Sequence, residues 1–254
     1  MPFTPAHVAA VLPLRGRLGL PFAALAAGSM SPDLPYFLPF SLSRSSTHSL
    51  WGIPTWDLLF GMALWLAWLW ASPALHDMAP GIIHRRWPPP GGTPSRWWIV
   101  PLAVMIGSAT HVLWDSFTHS GYPGATIEAL AASYPSPIGP IPGYRWLQYT
   151  SGAVGLALVA WVGLRQPIRA TPPRHRPLIA AIAPAVLLAG ALLGVAVRVT
   201  AMAAPAGRRD LVFISVTSSI SGAGLSLVLL CLFHALVAHP RGSRQTEAQQ
   251  HRSR

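Results

Sequence analysis

The stretch WWIVPLAVMIGSATHVLWDSFTHSG, residues 97–121, decides how this chain is read. From Trp97 to Phe117 it is apolar enough, and long enough, to cross a bilayer, which takes about 20 residues of helix. The Trp97-Trp98 pair suits a membrane interface. Burying apolar surface in lipid does not call for His111, Asp115 and His119 in the second half of that span. An aspartate within a span costs about 2.5–3.5 kcal/mol to insert, so such residues mark sites.

On a helix these three residues are spaced i, i+4, i+8. Each step of four turns the helix by about 400°, so they form one slowly drifting stripe. Imidazole with carboxylate is an ordinary ligand mix for Zn²⁺ and similar ions. Thr110, Ser116 and Thr118 are expected to orient the ligands. The competing reading is that Asp115 and His119 sit at the interface and cap the helix. His111 lies about two turns deeper than His119, which counts against it.

Composition agrees with the membrane reading. Of 254 residues, 52% are hydrophobic and 10% charged, against about 25% charged in a soluble domain. Mean hydropathy is +0.43. The net charge is +11, and all 18 basic residues are arginine. They sit mostly in short connections and in the tail, which suits membrane orientation better than nucleic-acid binding. The single cysteine, Cys231, excludes a disulfide framework and a cysteine-based zinc site. The opening residues lack a basic run and no cleavage pattern follows, so the N-terminus is expected to be that of the mature protein.

Outward from the central span, Ile53–Ala71 reads as the first clear span, followed by a loop over 72–96 with Pro88-Pro89-Pro90-Gly91-Gly92. Residues 120–144 form a proline-rich loop, and Trp146–Leu164 is the third span. After a basic link at 166–177 come Leu178–Ala204 and Leu211–Ala238. The tail from His239 is expected to be disordered. Domains are thus expected at 1–165, 166–238 and 239–254. The tryptophans, Trp65, Trp68 and Trp70 included, read as lipid-facing or interfacial. Gly190 and Gly194, four apart, read as a helix-packing face, and His234 as interacting with its own helix C-terminus. Eleven arginines fall on the side of the C-terminal tail and six on the other, which places the tail in the cytoplasm.

The first 52 residues are mixed. Pro5 is expected to start a short helix through Leu14, and Leu20–Met30 is apolar but too short to span. It runs into Ser31-Pro32-Asp33-Leu34-Pro35, a broken or re-entrant segment. Here lie three more candidate ligands: His7, Asp33 in its proline-bracketed turn, and His48 between two hydroxyls in Thr47-His48-Ser49. Each alone also fits a solvated loop. Asp57, near the start of the first span, fits either a partner to the ligands or an interfacial residue. No phosphate-binding glycine loop, nucleophile elbow or His-Glu-x-x-His pattern is present.

MPFTPAHVAAVLPL with His7, GSMSPDLPYF with Asp33, THSLWG with His48, and THVLWDSFTHSG with His111, Asp115 and His119 together resemble a bacterial membrane family, domain of unknown function 4184. QYTSGAVGL, from Gln148, is similar to its third-span pattern. The resemblance covers about residues 1–165. More remotely, the order His, Asp, Thr-His-Ser, His-x-x-x-Asp is similar to inner-membrane metal-dependent hydrolases and, through them, to the all-helical zinc-dependent phospholipase C group. That similarity implies a divalent metal, zinc or a like ion, held by His7, Asp33, His48, His111 and Asp115 with His119 as an addition. The ion would activate water against a phosphoester. Glu128 is the only glutamate before the tail, so a glutamate base would have to be Glu128.

The expected fold is therefore all-α, a polytopic helical membrane protein of four to six spans with a short-helical or re-entrant N-terminal segment. Two functions are expected to compete. One is a membrane-embedded metal-dependent hydrolase acting on a lipid or lipid-linked phosphoester, with Asp33 and Asp115 as catalytic carboxylates and no nucleic-acid partner. The other is a non-catalytic multi-pass protein, structural, transporting or partner-binding, whose polar residues form a helix-packing network.

Overall fold

The structure, a computed structural model, describes residues 4–38, 42–87, 96–137, 139–170, 174–202 and 207–237. The polyproline run at 88–92, His239, His251 and the tail lie outside the described residues.

The chain is all-α and polytopic. A 3₁₀ turn, Thr4–His7, leads into α1 (Val8–Val11) and α2 (Phe22–Met30), and a second 3₁₀ turn, Ser31–Phe37, leads on toward α3 (Arg44–Thr47). A π-helical turn, Ile53–Asp57, opens α4 (Leu58–Met78), which is followed by α5 (Gly81–His84) and α6 (Val100–Thr118). The connection to α8 (Gly143–Leu164) carries α7 (Glu128–Ala131) and a two-residue antiparallel pair, β1 (Ser133–Tyr134) with β2 (Ile141–Pro142). Two long helices follow, α9 (Pro177–Thr200) and α10 (Arg208–Val237). Among the described residues, five helical stretches are long and apolar enough to cross a membrane: Ile53–Met78, Trp97–Thr126, Gly143–Leu164, Pro177–Thr200 and Leu211–Val237.

The first span runs past its expected end. Residues 72–78, expected to belong to the loop over 72–96, continue α4 with Pro73 inside the helix. Pro73 forfeits one helical hydrogen bond, while Ala74 and Met78 gain burial beside Ile179, Ala183, Leu230 and Cys231.

Two compact units divide the chain: Met1–Trp70 with Gly91–Pro167, and Ala71–Pro90 with Ile168–Arg254. In the first, the core gathers Val11, Ala24, Leu25, Trp65, Val100 and Val104 around α2. Trp65 is 5% exposed, so it is not the lipid-facing residue expected, whereas Trp68 and Trp70 are 40% and 45% exposed. Helix α2 is the centre of this unit because glycines let α6 come against it. A Cβ at Gly28 would overlap the Val104 carbonyl, and one at Gly107 would overlap the Leu25 carbonyl and sit 2.7 Å from the Ser29 nitrogen.

In the second unit, α9 and α10 meet across Gly190, Gly194 and Gly222; a Cβ at Gly190 would lie 2.8 Å from the Gly222 carbonyl. The unit is tied at one end by Asp77. Its carboxylate accepts the backbone N–H groups of His175 at 2.7 Å and Arg176 at 2.9 Å, just ahead of α9. These are donors that a helix start leaves without helical partners. His234 lies 3.1 Å from the same carboxylate, so it pairs with Asp77 rather than with its own helix end. Arg176 reaches the Val237 carbonyl at 2.6 Å.

Three outcomes follow for unfolding in detergent. Gly107→Ala forces a methyl against backbone and should cost about 1–3 kcal/mol or more. Gly224→Ala, with nothing within 4 Å of its Cβ, should leave the midpoint unchanged or raise it. Asp77→Ala, which removes an N-terminal cap supplied from another helix, should cost about 1–2 kcal/mol.

Candidate metal centre

The site is built from three short N-terminal elements laid on α6. Helix α2 passes into the 3₁₀ turn at Ser31–Phe37, where Pro32 and Pro35 stop the α-helix and fix Asp33 facing inward, 0% exposed. Pro32, whose N–H a 3₁₀ turn would aim at the Ser29 carbonyl, has none. His111 Nδ1 donates to that carbonyl at 2.7 Å. The proton on Nδ1 leaves the Nε2 lone pair available to a ligand, the arrangement usual behind a metal-bound histidine.

His48 ends α3, its Nδ1 3.0 Å from the Thr47 hydroxyl. Gly52 closes the turn behind it; a Cβ there would lie 2.6 Å from the Ser46 carbonyl. His7 ends the first 3₁₀ turn. Its ring stacks on His111, centroids 3.7 Å apart and planes 17° apart. Gly155 on α8 admits this turn, since a Cβ there would lie 2.8 Å from the Ala6 carbonyl.

Asp33, His48, His111 and Asp115 converge, each offering one ligand atom, all within 4.8 Å of one another. The four are 0–2% exposed. His48 Nε2 stands 3.2 Å from Asp33 Oδ1 and 3.3 Å from Asp115 Oδ2. His111 Nε2 stands 3.7 Å from Asp33 Oδ1 and 3.5 Å from Asp115 Oδ2. Four donors at 2.0–2.1 Å from a tetrahedral ion are about 3.3 Å apart, so these separations fit such an ion. Both Nε2 atoms are buried without a well-formed hydrogen bond. Buried nitrogens in that condition need explaining, and coordination explains them. Two imidazoles and two carboxylates are a donor set for zinc, manganese or iron rather than for a soft copper(I) site.

The surroundings fix the carboxylates. The Thr4 hydroxyl donates to Asp33 Oδ2 at 2.7 Å. Burial works against the Asp33 charge, but His111 and His48 close beside it outweigh that and hold the carboxyl below its ordinary range. Burial, with His111 alongside, pushes His7 down to about 3, so it is neutral at neutral pH. Arg44 Nη2 donates to Asp115 Oδ2 at 2.5 Å. Burial opposes the guanidinium charge, yet Asp115 and Tyr36 hold Arg44 net above its usual value.

His7 and His119 lie beside the four rather than among them. His7 Nε2 is 3.7 Å from Asp115 Oδ1, and His119 Nδ1 is 3.4 Å from Asp115 Oδ2. Gln148 lies 2.9 Å from His119 Nε2. Of the three hydroxyls expected to orient ligands, Thr118 alone reaches one, 3.4 Å from Asp115 Oδ1. Thr110 and Ser116 bond back to carbonyls of their own helix, at Gly107 and Leu113. Asp57 is buried and takes the Ser108 hydroxyl at 2.6 Å, so it is not an exposed interfacial group. Glu128 sits on α7 in an exposed position, outside the cluster.

Sequence reasoning missed Arg44, Tyr36 and Tyr122. Arg44 is four residues ahead of His48, which was the one available signal. A cleft of about 340 Å³ also reaches the site; its wall is apolar along Ala9, Ala10, Val154 and Leu158 and includes His7 and Asp115.

No curated protein and no solved structure shows significant similarity to the chain. A sequence profile of the family described as domain of unknown function (DUF4184) matches residues 1–232, the span that carries every element of this site, and the chain belongs to that family.

Proposed function

We propose that this protein is a membrane-embedded metal-dependent hydrolase acting on a lipid or lipid-linked phosphoester. One observation carries the reading: Asp33, His48, His111 and Asp115, drawn from three separate parts of the chain, bring four ligand-type atoms together in a buried pocket. A bound Zn²⁺ or similar ion lowers the pKa of its water to about 7 and stabilises charge on a phosphoryl oxygen.

The chain's own groups supply the rest. The Ser29 carbonyl holds the His111 tautomer, and Thr4 and Thr118 hold the two carboxylates. Asp33 and Asp115 are the groups that orient a water or take its proton. His7, neutral and beside Asp115 Oδ1, can relay that proton toward the cleft. A catalytic ion needs room for water besides its protein ligands, which beside four of them means a fifth position, and the cleft is an opening that reaches Asp115. Its apolar wall, lined by the short α1 and by α8, which is long and apolar enough to cross a membrane, suits a substrate with a hydrocarbon part. The order of the His and Asp motifs, similar to that of inner-membrane metal-dependent hydrolases, supports the same reading. We place the protein in a bacterial inner membrane with the C-terminal tail cytoplasmic, on the arginine distribution.

The second reading, a polar network that only packs helices, draws on the Arg44–Asp115 ion pair, which neutralises one carboxylate without any ion. Metal content separates the two. Full-length protein purified after growth with zinc should hold about one ion per chain, and His111→Ala and Asp115→Ala should hold less than about a tenth of that. Equal, negligible metal in all three would remove the hydrolase reading. With a chromogenic phosphodiester, Asp33→Asn and Asp115→Asn should lose about 100-fold or more in turnover; wild-type turnover in either variant would count against their role.

A further inference from the structure

Arg44 is the one cation in direct contact with the four-residue cluster among the described residues, and the fold has placed it with care. Its Nη1 donates to the Tyr36 hydroxyl at 3.1 Å and its Nε to the Tyr122 hydroxyl at 3.3 Å. The guanidinium also lies 5.6 Å from the Tyr122 ring centroid. Two of its three nitrogens are therefore oriented by phenols from different segments, independently of Asp115. Tyr122 is brought there by the turn after α6, where Gly121 takes φ +85°, a conformation glycine adopts without strain. The third nitrogen, Nη2, bonds Asp115 Oδ2, the same oxygen that faces His48 and His111. The Arg44 side chain is 27% exposed, against 1% for Asp115, so it stands between the buried cluster and solvent.

Charge gives this arrangement a direction. With the imidazoles neutral, as ligands must be, the two carboxylates outweigh the one guanidinium and the group is net negative by one unit. Adding a divalent cation makes it net positive by one unit. At low local dielectric that excess attracts an anion strongly. An oriented guanidinium beside the cation is the partner that a phosphoryl oxygen takes best. We propose that Arg44, held by Tyr36 and Tyr122, forms with the metal-loaded cluster a subsite for a phosphoryl anion, and that Arg44 turns from Asp115 to that anion when the cation is present. The inference rests on the metal reading above and adds to it the charge and shape of the group recognised.

The test uses the full chain in detergent micelles with inorganic phosphate as probe, followed by calorimetry, with zinc content measured on each sample. Wild type loaded with zinc should bind phosphate about tenfold or more tightly than the metal-free protein. Arg44→Gln should hold the same zinc and lose about tenfold or more in phosphate affinity, and Arg44→Lys should recover part of it. Equal zinc in the variant reports an intact cluster, so a folding defect would be seen as such. Dihexanoyl phosphatidic acid, run beside inorganic phosphate, separates the sources: tighter capture of the lipid assigns the subsite to a headgroup, equal capture to soluble phosphate. Zinc-loaded Arg44→Gln that binds phosphate as wild type does would overturn the subsite and leave the metal reading standing. Wild type that takes up no zinc would take both down.

Discussion

The bond from His111 Nδ1 to the Ser29 carbonyl, 2.7 Å long, is the contact on which the site depends. It exists because two glycines, Gly28 and Gly107, remove the side chains that would hold α2 and α6 apart. It also requires Pro32, which breaks the hydrogen-bond ladder at the end of α2. Close approach and broken ladder together put a carbonyl acceptor where a buried imidazole needs one. The same break turns Asp33 inward toward His111 and His48. One local irregularity thus orients a histidine and delivers a carboxylate to it.

The cost of this arrangement explains its company. Two carboxylates at most 1% exposed, in a chain with helices apolar enough to cross a membrane, cannot stand without compensation. Thr4, Thr118 and Arg44 each supply part of it. What they do not supply is a partner of good geometry for the Nε2 atoms of His48 and His111, which face the two carboxylates at 3.2–3.7 Å. A cation answers the lone pairs and the negative charge at once. By contrast Asp77, in the other unit, has two backbone N–H groups and His234, so it serves as a clamp with nothing left over.

Much of this was legible in the sequence, for a physical reason. Ionisable residues in apolar runs are expensive, so His111 and Asp115 announce themselves, and a spacing of four puts both on one helix face. Asp33 was marked by its flanking prolines. What was not legible lay in pairings between distant segments. The Arg44–Asp115 contact joins residues 71 apart and His234–Asp77 joins residues 157 apart, and neither has a local signal. Trp65 was misread because a tryptophan in a span looks the same from sequence whether it faces lipid or core. The end of the first span was placed too early, at Ala71, because the burial of Ala74 and Met78 that carries the helix on past Pro73 comes from distant segments. Spacing also could not separate the four converging residues from His7 and His119, which touch Asp115 from beside the group of four.

The central claim is that these four side chains form one metal centre. X-ray absorption at the zinc edge of the zinc-loaded full chain tests it most directly. The expected result is a shell of nitrogen and oxygen at about 2.0–2.2 Å, with outer scattering from two imidazoles and no sulfur. A shell of oxygen without imidazole would mean a loosely held ion, and a sulfur at about 2.3 Å would put the metal at Cys231 instead; either result would contradict it.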